Sequence, residues 1–269
     1  MCPFSLQLWI KPLRTGDIIQ PDSRRDTFVT QVFWNVSAIL ANNAVLSDQL
    51  NKRQRSQPIV QTIGDILLER VPLFQPFVDY GGHQQYGKHE FEKEKLDNPE
   101  FVKFVDEVER RPESRKIELN GFLTRPTTRL GRYPLLLKAI LKSTPEDNPD
   151  FKLIPEVLKL FDDFLDRVNT AAGKTQNRMD LAHLEGQLRP NEAHELRLGD
   201  ENRELIHKGQ LKRRGGTQSE TADLEVYLLD NVLVLARYKV VNKTTEELRL
   251  YKRVSNTSCL PRLTYVDAT

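Results

Sequence analysis

Asn120-Gly121-Phe122-Leu123-Thr124-Arg125-Pro126-Thr127-Thr128-Arg129-Leu130-Gly131-Arg132-Tyr133-Pro134-Leu135-Leu136-Leu137-Lys138-Ala139-Ile140-Leu141-Lys142 is the stretch from which the fold can be read. Placed on a helix at about 100° per residue, Leu130, Tyr133, Leu137, Ile140 and Leu141 share one face. Arg125, Arg129 and Arg132 stack along a different stripe, away from the apolar centre. Such a segment packs on one side and offers a cationic strip on the other. The leucine run as a whole, Leu135 and Leu136 included, reads as core. On spacing alone the arginines read as a solvated helix face, because long charged side chains keep their heads in water. A basic stripe is common and by itself defines no binding site.

Outward from that helix, the period stays helical from Arg25 to about Leu188. Phe28, Val32, Val36, Ile39 and Leu40 recur at three and four, followed by Leu46 and Leu50. Ile59, Ile63, Ile66, Leu67 and Phe74 follow a helix start at Pro58, with Pro72 and Pro76 expected to bend the far end. Gly81-Gly82-His83 reads as a break, and Phe91 to Arg110 as weakly amphipathic helices around Pro99. Ser143 to Pro149 is a polar, proline-bearing loop. Ile154, Val157, Leu158, Phe161, Phe164, Leu165 and Val168 then form an apolar stripe that runs on toward Leu184. The pattern is that of an elongated helical bundle with long helices.

Beyond Arg189-Pro190 the period shortens toward two. Leu205 to Arg214, Leu224 to Asp230, Val232 to Lys239 and Glu247 to Arg253 read as four strands. Asp230-Asn231 is a tight-turn signal, and Arg214-Gly215-Gly216-Thr217 opens a loop between the first two strands. Strands gathered after a helical bundle imply a second domain built on an antiparallel sheet.

Composition narrows the function. The 40 basic and 38 acidic side chains nearly cancel, which removes the bulk electrostatic case for a nucleic-acid binder. Cys2 and Cys259 stand near opposite ends and give neither a disulfide framework nor a metal-site spacing. The five histidines are scattered, so no metal or other cofactor is expected. No apolar run approaches the roughly 18 to 20 residues that span a bilayer. Met1 to Ile10 lacks the basic leader and small-residue cleavage site of a signal peptide. The expected location is the cytoplasm.

The order Pro126, Arg129, Leu130, Arg132, Tyr133, Pro134, Leu135, Leu136, Leu137 and Lys138 resembles the third conserved region of the Dbl-homology family, which reads roughly Pro-x-x-Arg-Leu-x-Arg-Tyr-Pro-Leu-Leu-Leu-Lys. Val226-Tyr227-Leu228-Leu229-Asp230-Asn231-Val232-Leu233-Val234-Leu235 is similar to the second and third strands of a pleckstrin-homology domain, which follows the exchange domain in that family. The wording from Asn120 to Leu130 looks closest to fungal members that act on Rho in cell-wall signalling. The resemblance implies a mainly α chain: a Dbl-homology bundle over residues 1–188, a partial pleckstrin-homology sheet over 189–253, and a non-homologous tail over 254–269. It implies a guanine nucleotide exchange factor for a Rho-family small GTPase, working without covalent chemistry, with peripheral recruitment to a phosphoinositide-bearing plasma membrane as a further expectation.

The resemblance also assigns site residues. Arg132 occupies the position of a partner-contacting basic residue. Asn169, preceded by Val168, matches an asparagine of the long last helix, although on sequence alone it is an ordinary exposed helical residue. Arg129 and Thr128 flank the motif and either touch the partner or brace neighbouring helices. Lys208, Lys212, Arg213 and Arg214 form a basic cluster suited to inositol phosphates; a charged hairpin edge that discourages strand pairing is the slightly favoured alternative. The acidic residue of the family's first helix is expected upstream of Met1, with Phe4 to Leu13 as the tail of that helix, and the sheet lacks its later strands. A chain shortened at both ends is therefore expected to be marginally stable and weak in exchange, and the competing reading is a scaffold or interaction module.

Overall fold

The computed structural model describes residues 3–57, 59–212, 223–242 and 245–255, which fall into two compact units, Met1–Thr175 and Gln176–Thr269. The helices are α1 (Pro3–Thr15), α2 (Asp22–Phe33), α3 (Val36–Ser56), α4 (Gly64–Arg70), α5 (Gln75–Asp97), α6 (Pro99–Arg110), α7 (Leu119–Leu123), α8 (Arg125–Lys142), α9 (Asp150–Gln187) and α10 (Pro190–Leu196). Four strands follow, β1 (Leu205–Lys212), β2 (Asp223–Leu229), β3 (Val232–Asn242) and β4 (Thr245–Ser255), antiparallel in the order β1-β2-β3-β4. A helical bundle succeeded by an antiparallel sheet is the architecture the sequence implies.

The first unit is held by an aromatic core. Phe28 of α2 and Phe91 of α5 both meet Phe101 of α6 edge-on, with centroids 5.2 and 5.7 Å away. Trp9 of α1 meets Phe104 in the same manner at 5.9 Å. Asn98 caps α6: its Oδ1 accepts from the backbone N–H groups of Glu100 and Phe101 at 3.1 Å, satisfying donors that the helix leaves orphaned. Its amide also donates to the Ile18 carbonyl at 2.8 Å. Tyr80 donates to the Leu123 carbonyl at 2.6 Å, and burial pushes the phenol's pKa upward.

Three local expectations are corrected here. Gly81 and Gly82 do not break the chain; they lie within the continuous helix α5. Their small size serves helix contact. A Cβ on Gly81 would come 2.6 Å from Val168 Cγ1, and one on Gly82 would come 3.2 Å from Ala171 Cβ, so α5 and α9 touch where side chains are missing. The helix expected from Pro58 starts only at Gly64; Pro58 itself is outside the described residues and Ile59 is exposed. A distant group sets that start, since the Asp150 carboxylate accepts from the N–H groups of Ile63 and Gly64 at 2.8 Å each. Helix α6 is not weakly amphipathic, for it buries Phe101, Phe104, Val105 and Val108 along one face. Pro76 stands in the first turn of α5, where its missing N–H was unpaired in any case.

In the second unit, Leu181 and Leu184 at the end of α9 and Leu188 just beyond it join Ala193 and Leu196 of α10. These side chains pack with Leu229, Val234, Ala236 and Leu248 of the sheet. The strands run close to their expected bounds, and Asp230-Asn231 forms the β2–β3 connection. Arg203 secures that turn, donating to Asp230 Oδ1 at 2.7 Å and to Asn231 Oδ1 at 2.6 Å. Burial opposes ionisation of Asp230, yet the Arg203 hydrogen bond and charge outweigh it and hold the carboxyl below its usual range. Strand β4 reaches Ser255, two residues into the stretch expected as tail; residues 256–269 lie outside the described residues.

Candidate functional site

Helix α8 sorts its residues by angle, not by type. Pro126, Leu130, Pro134 and Leu137 are buried, with Tyr133 half-buried and stacked on Phe161 of α9 at 5.1 Å. Leu135 and Leu136 are 67% and 61% exposed, and Ile140 is 41% exposed. The expectation that the whole leucine run is core is therefore wrong for Leu135 and Leu136, and Ile140 also stands outside the core. Three and four residues past Arg132, Leu135 and Leu136 swing to within about 60° and 40° of it on a helix. They share the arginine's face, and that face is exposed.

That face borders a cleft of about 660 Å³ between α3 and α8. Ile39, Leu40 and Asn43 line one wall, and Arg125, Thr128, Arg129, Arg132 and Leu136 line the other. The three arginines differ in what they do. Arg129 is tied down: its Nε donates to Asn43 Oδ1 at 2.9 Å and to Tyr133 Oη at 3.0 Å. Tyr133 in turn donates to Asn43 Oδ1 at 2.8 Å, and the Asn43 amide donates to the Ile39 carbonyl at 2.9 Å. This small network bolts α8 to α3. Arg125 lies over the Phe122 ring, 4.8 Å from its centroid. Arg132 is exposed and makes no hydrogen bond or ion pair among the described residues.

Thr128, Arg129 and Arg132 thus come together at one cleft. Thr128 is exposed, but its hydroxyl donates back to the Thr124 carbonyl at 2.9 Å, a local bond within α8 and its N-terminal cap. Asn169 is exposed on α9 and does not line the cleft. Its neighbour Val168 is the residue that fills the space opposite Gly81, so α9 is held in register there by contact with α5. Of the basic cluster, Lys208 is engaged with Asp180 at 2.8 Å and Lys212 is exposed at the end of β1. Arg213 and Arg214 lie outside the described residues.

Sequence reasoning missed Leu135, Leu136, Leu40 and Asn43 as site residues. The angular position of the two leucines carried a signal. Leu40 and Asn43 had none, because only the packing of α3 against α8 places them there. Among the described residues no cluster of His, Cys, Asp and Glu is arranged to hold a metal, and no helix is long and apolar enough to cross a membrane.

A helical bundle followed by a small antiparallel sheet, with one bare cationic and apolar helix face, is the layout of exchange domains paired with pleckstrin-homology domains. Two solved structures share the fold. One is the DH/PH domain of human ARHGEF11 in a ternary complex with RhoA and its inhibitor (TM-score 0.75, 23% identity, covering 91% of this chain and 70% of that one). The other is the DH/PH fragment of PDZRHOGEF with human RhoA (TM-score 0.74, 22% identity, covering 91% and 73%). The RhoGEF domain family matches residues 4–169, and a pleckstrin homology domain family matches residues 205–255. The chain belongs to the RhoGEF domain family. It is 50% identical over 250 residues to Rho1 guanine nucleotide exchange factor 1 of Schizosaccharomyces pombe, covering 91% of this chain and 19% of that protein. It is 36% identical over 241 residues to RHO1 GDP-GTP exchange protein 2 of Saccharomyces cerevisiae, covering 87% and 18%. The chain spans about a fifth of the length of these relatives.

Proposed function

We propose that this chain promotes guanine nucleotide exchange on a Rho-family small GTPase, most closely of the Rho1 type that its fungal relatives are named for. The observation that carries the reading is the exposed face of α8, where the unpaired Arg132 stands beside Leu135 and Leu136. Exposed leucines next to a free guanidinium suit a protein partner better than a small ligand, because apolar contact supplies the affinity and the forked cation the orientation.

Exchange of this kind needs no covalent step. The nucleotide of a small GTPase is held by switch segments that fold around its phosphates and metal ion, and such segments have two states. A surface that binds the empty GTPase more tightly than the loaded one weakens nucleotide binding by the same factor. Each tenfold loosening takes about 1.4 kcal/mol of differential binding. A rigid helix face serves this well, since it holds the displaced switches without adapting to the relaxed ones. The Arg129–Tyr133–Asn43 network supplies rigidity, which makes Arg129 a brace and Arg132 the contact. Asn169 serves as a second contact from α9, and Thr128 as a flanking one. The exchange domain is placed over residues 1–188 and the pleckstrin-type domain over 189–253, acting in the cytoplasm. A phosphoinositide surface remains a secondary partner, with Lys208 already engaged by Asp180.

Release of a fluorescent GDP analogue from Rho-, Rac- and Cdc42-type GTPases tests the reading. Acceleration on the Rho type above the other two is expected. No acceleration on any of them counts against exchange activity.

A further inference from the structure

The C-terminal turn of α3 carries a second constellation, away from the α8 face. Lys52, Arg53 and Arg55 precede Ser56, the last residue of the helix, and Gln57 continues in extended backbone. Ser56 is exposed, and among the described residues its hydroxyl donates only to the Arg53 carbonyl, at 3.0 Å. Arginines one and three residues before an exposed hydroxyl are what a kinase with a carboxylate-lined peptide groove selects, through charge-assisted contacts to the guanidiniums. The last turn of a helix opens at little free-energy cost, so the backbone there can enter such a groove.

One of the two arginines is occupied. Arg53 Nη2 donates to Asp65 Oδ2 at 2.6 Å, and its Nη1 donates to the Thr62 carbonyl and hydroxyl at 2.8 and 2.9 Å. That arginine clamps the end of α3 to the start of α4. The Arg53 hydrogen bond holds the Asp65 carboxyl below its usual range, although desolvation opposes the shift. We propose that Ser56 is a phosphorylation site for an arginine-directed serine kinase, gated by the Arg53–Asp65 ion pair. With the clamp closed, the determinant three residues before the hydroxyl is withheld; with it open, Arg53 is presented.

In the transfer, Ser56 Oγ attacks the γ-phosphorus of MgATP. An Oγ–P bond forms, the bond to the β-phosphate oxygen breaks, ADP departs, and the hydroxyl proton passes to the kinase's base. The resulting dianion sits at the negative end of the α3 dipole and draws Arg53 away from Asp65, so the phosphate keeps the clamp open. The site shares no residue with the α8 face and does not rest on the exchange reading.

The test incubates the whole chain with a purified arginine-directed serine kinase and MgATP and locates phosphate by mass spectrometry. One phosphate on Ser56 is expected, absent in Ser56→Ala. Asp65→Asn should accelerate its transfer about two- to fivefold, the range an exposed ion pair supports. Arg53→Gln opens the same clamp but removes the determinant, so it should slow transfer, which separates gating from general loosening. No phosphate on Ser56, or a rate in Asp65→Asn no higher than that of the unaltered chain, overturns the proposal.

Discussion

The two faces of α8 are built from the same residue types and do opposite work. Leu130 and Leu137 are sealed in the core with Pro134, while Leu135 and Leu136 stand in solvent beside Arg132. Side-chain chemistry does not separate them; angle around the helix does. A leucine facing inward holds the bundle together, and one facing outward contributes its apolar surface to the exterior instead. The same division runs through the arginines, since Arg129 is spent on Asn43 and Tyr133 while Arg132 is left free.

Paired truncations break this comparison most sharply. Leu130→Ala removes a fully buried side chain and should cost about 2–5 kcal/mol of stability, seen as a large fall in the denaturation midpoint. Leu136→Ala should change that midpoint by no more than about 0.5 kcal/mol, because it leaves no cavity. If both variants lose stability equally, Leu136 is core and the division between faces is wrong.

A smaller effect sharpens the division between the arginines. Tyr133→Phe deletes the hydroxyl that accepts from Arg129 and donates to Asn43, leaving the direct Arg129–Asn43 bond, and should cost about 0.5–1.5 kcal/mol. The ring's stacking on Phe161 survives, so the fold should remain cooperative. Nucleotide release should slow modestly through loosening of α3 against α8. Unchanged stability and unchanged release would show that the network is ornamental.

Much of this was legible from sequence, for reasons that local chemistry explains. The stripe from Ile154 to Val168, the four strands and the Asp230-Asn231 turn follow from period and turn chemistry, which neighbouring residues alone determine. Arg132 was singled out through its motif, and among the described residues it is exposed and makes no hydrogen bond or ion pair. Gly81 and Gly82 were misread because glycine signals a break when only the local chain is considered. Their use is to let Val168 and Ala171 approach, and no local pattern announces which helix lies alongside. The start of α4 escaped for a similar reason, since its cap comes from Asp150 in another helix. Leu135 and Leu136 were recoverable, for a strict angular reading sets them beside Arg132, but the eye takes three leucines in a row as one unit.

If the outward face of α8 works on a partner, as proposed, it contributes little to the fold. Arg132→Glu tests it most directly, measured as fluorescent-nucleotide release from a Rho-type GTPase beside thermal melting of the same preparation. Release should fall to the uncatalysed rate with the melting midpoint unchanged, because the guanidinium has no hydrogen-bond or ion-pair partner among the described residues. Release at the rate of the unaltered chain, from a variant that melts normally, would contradict it.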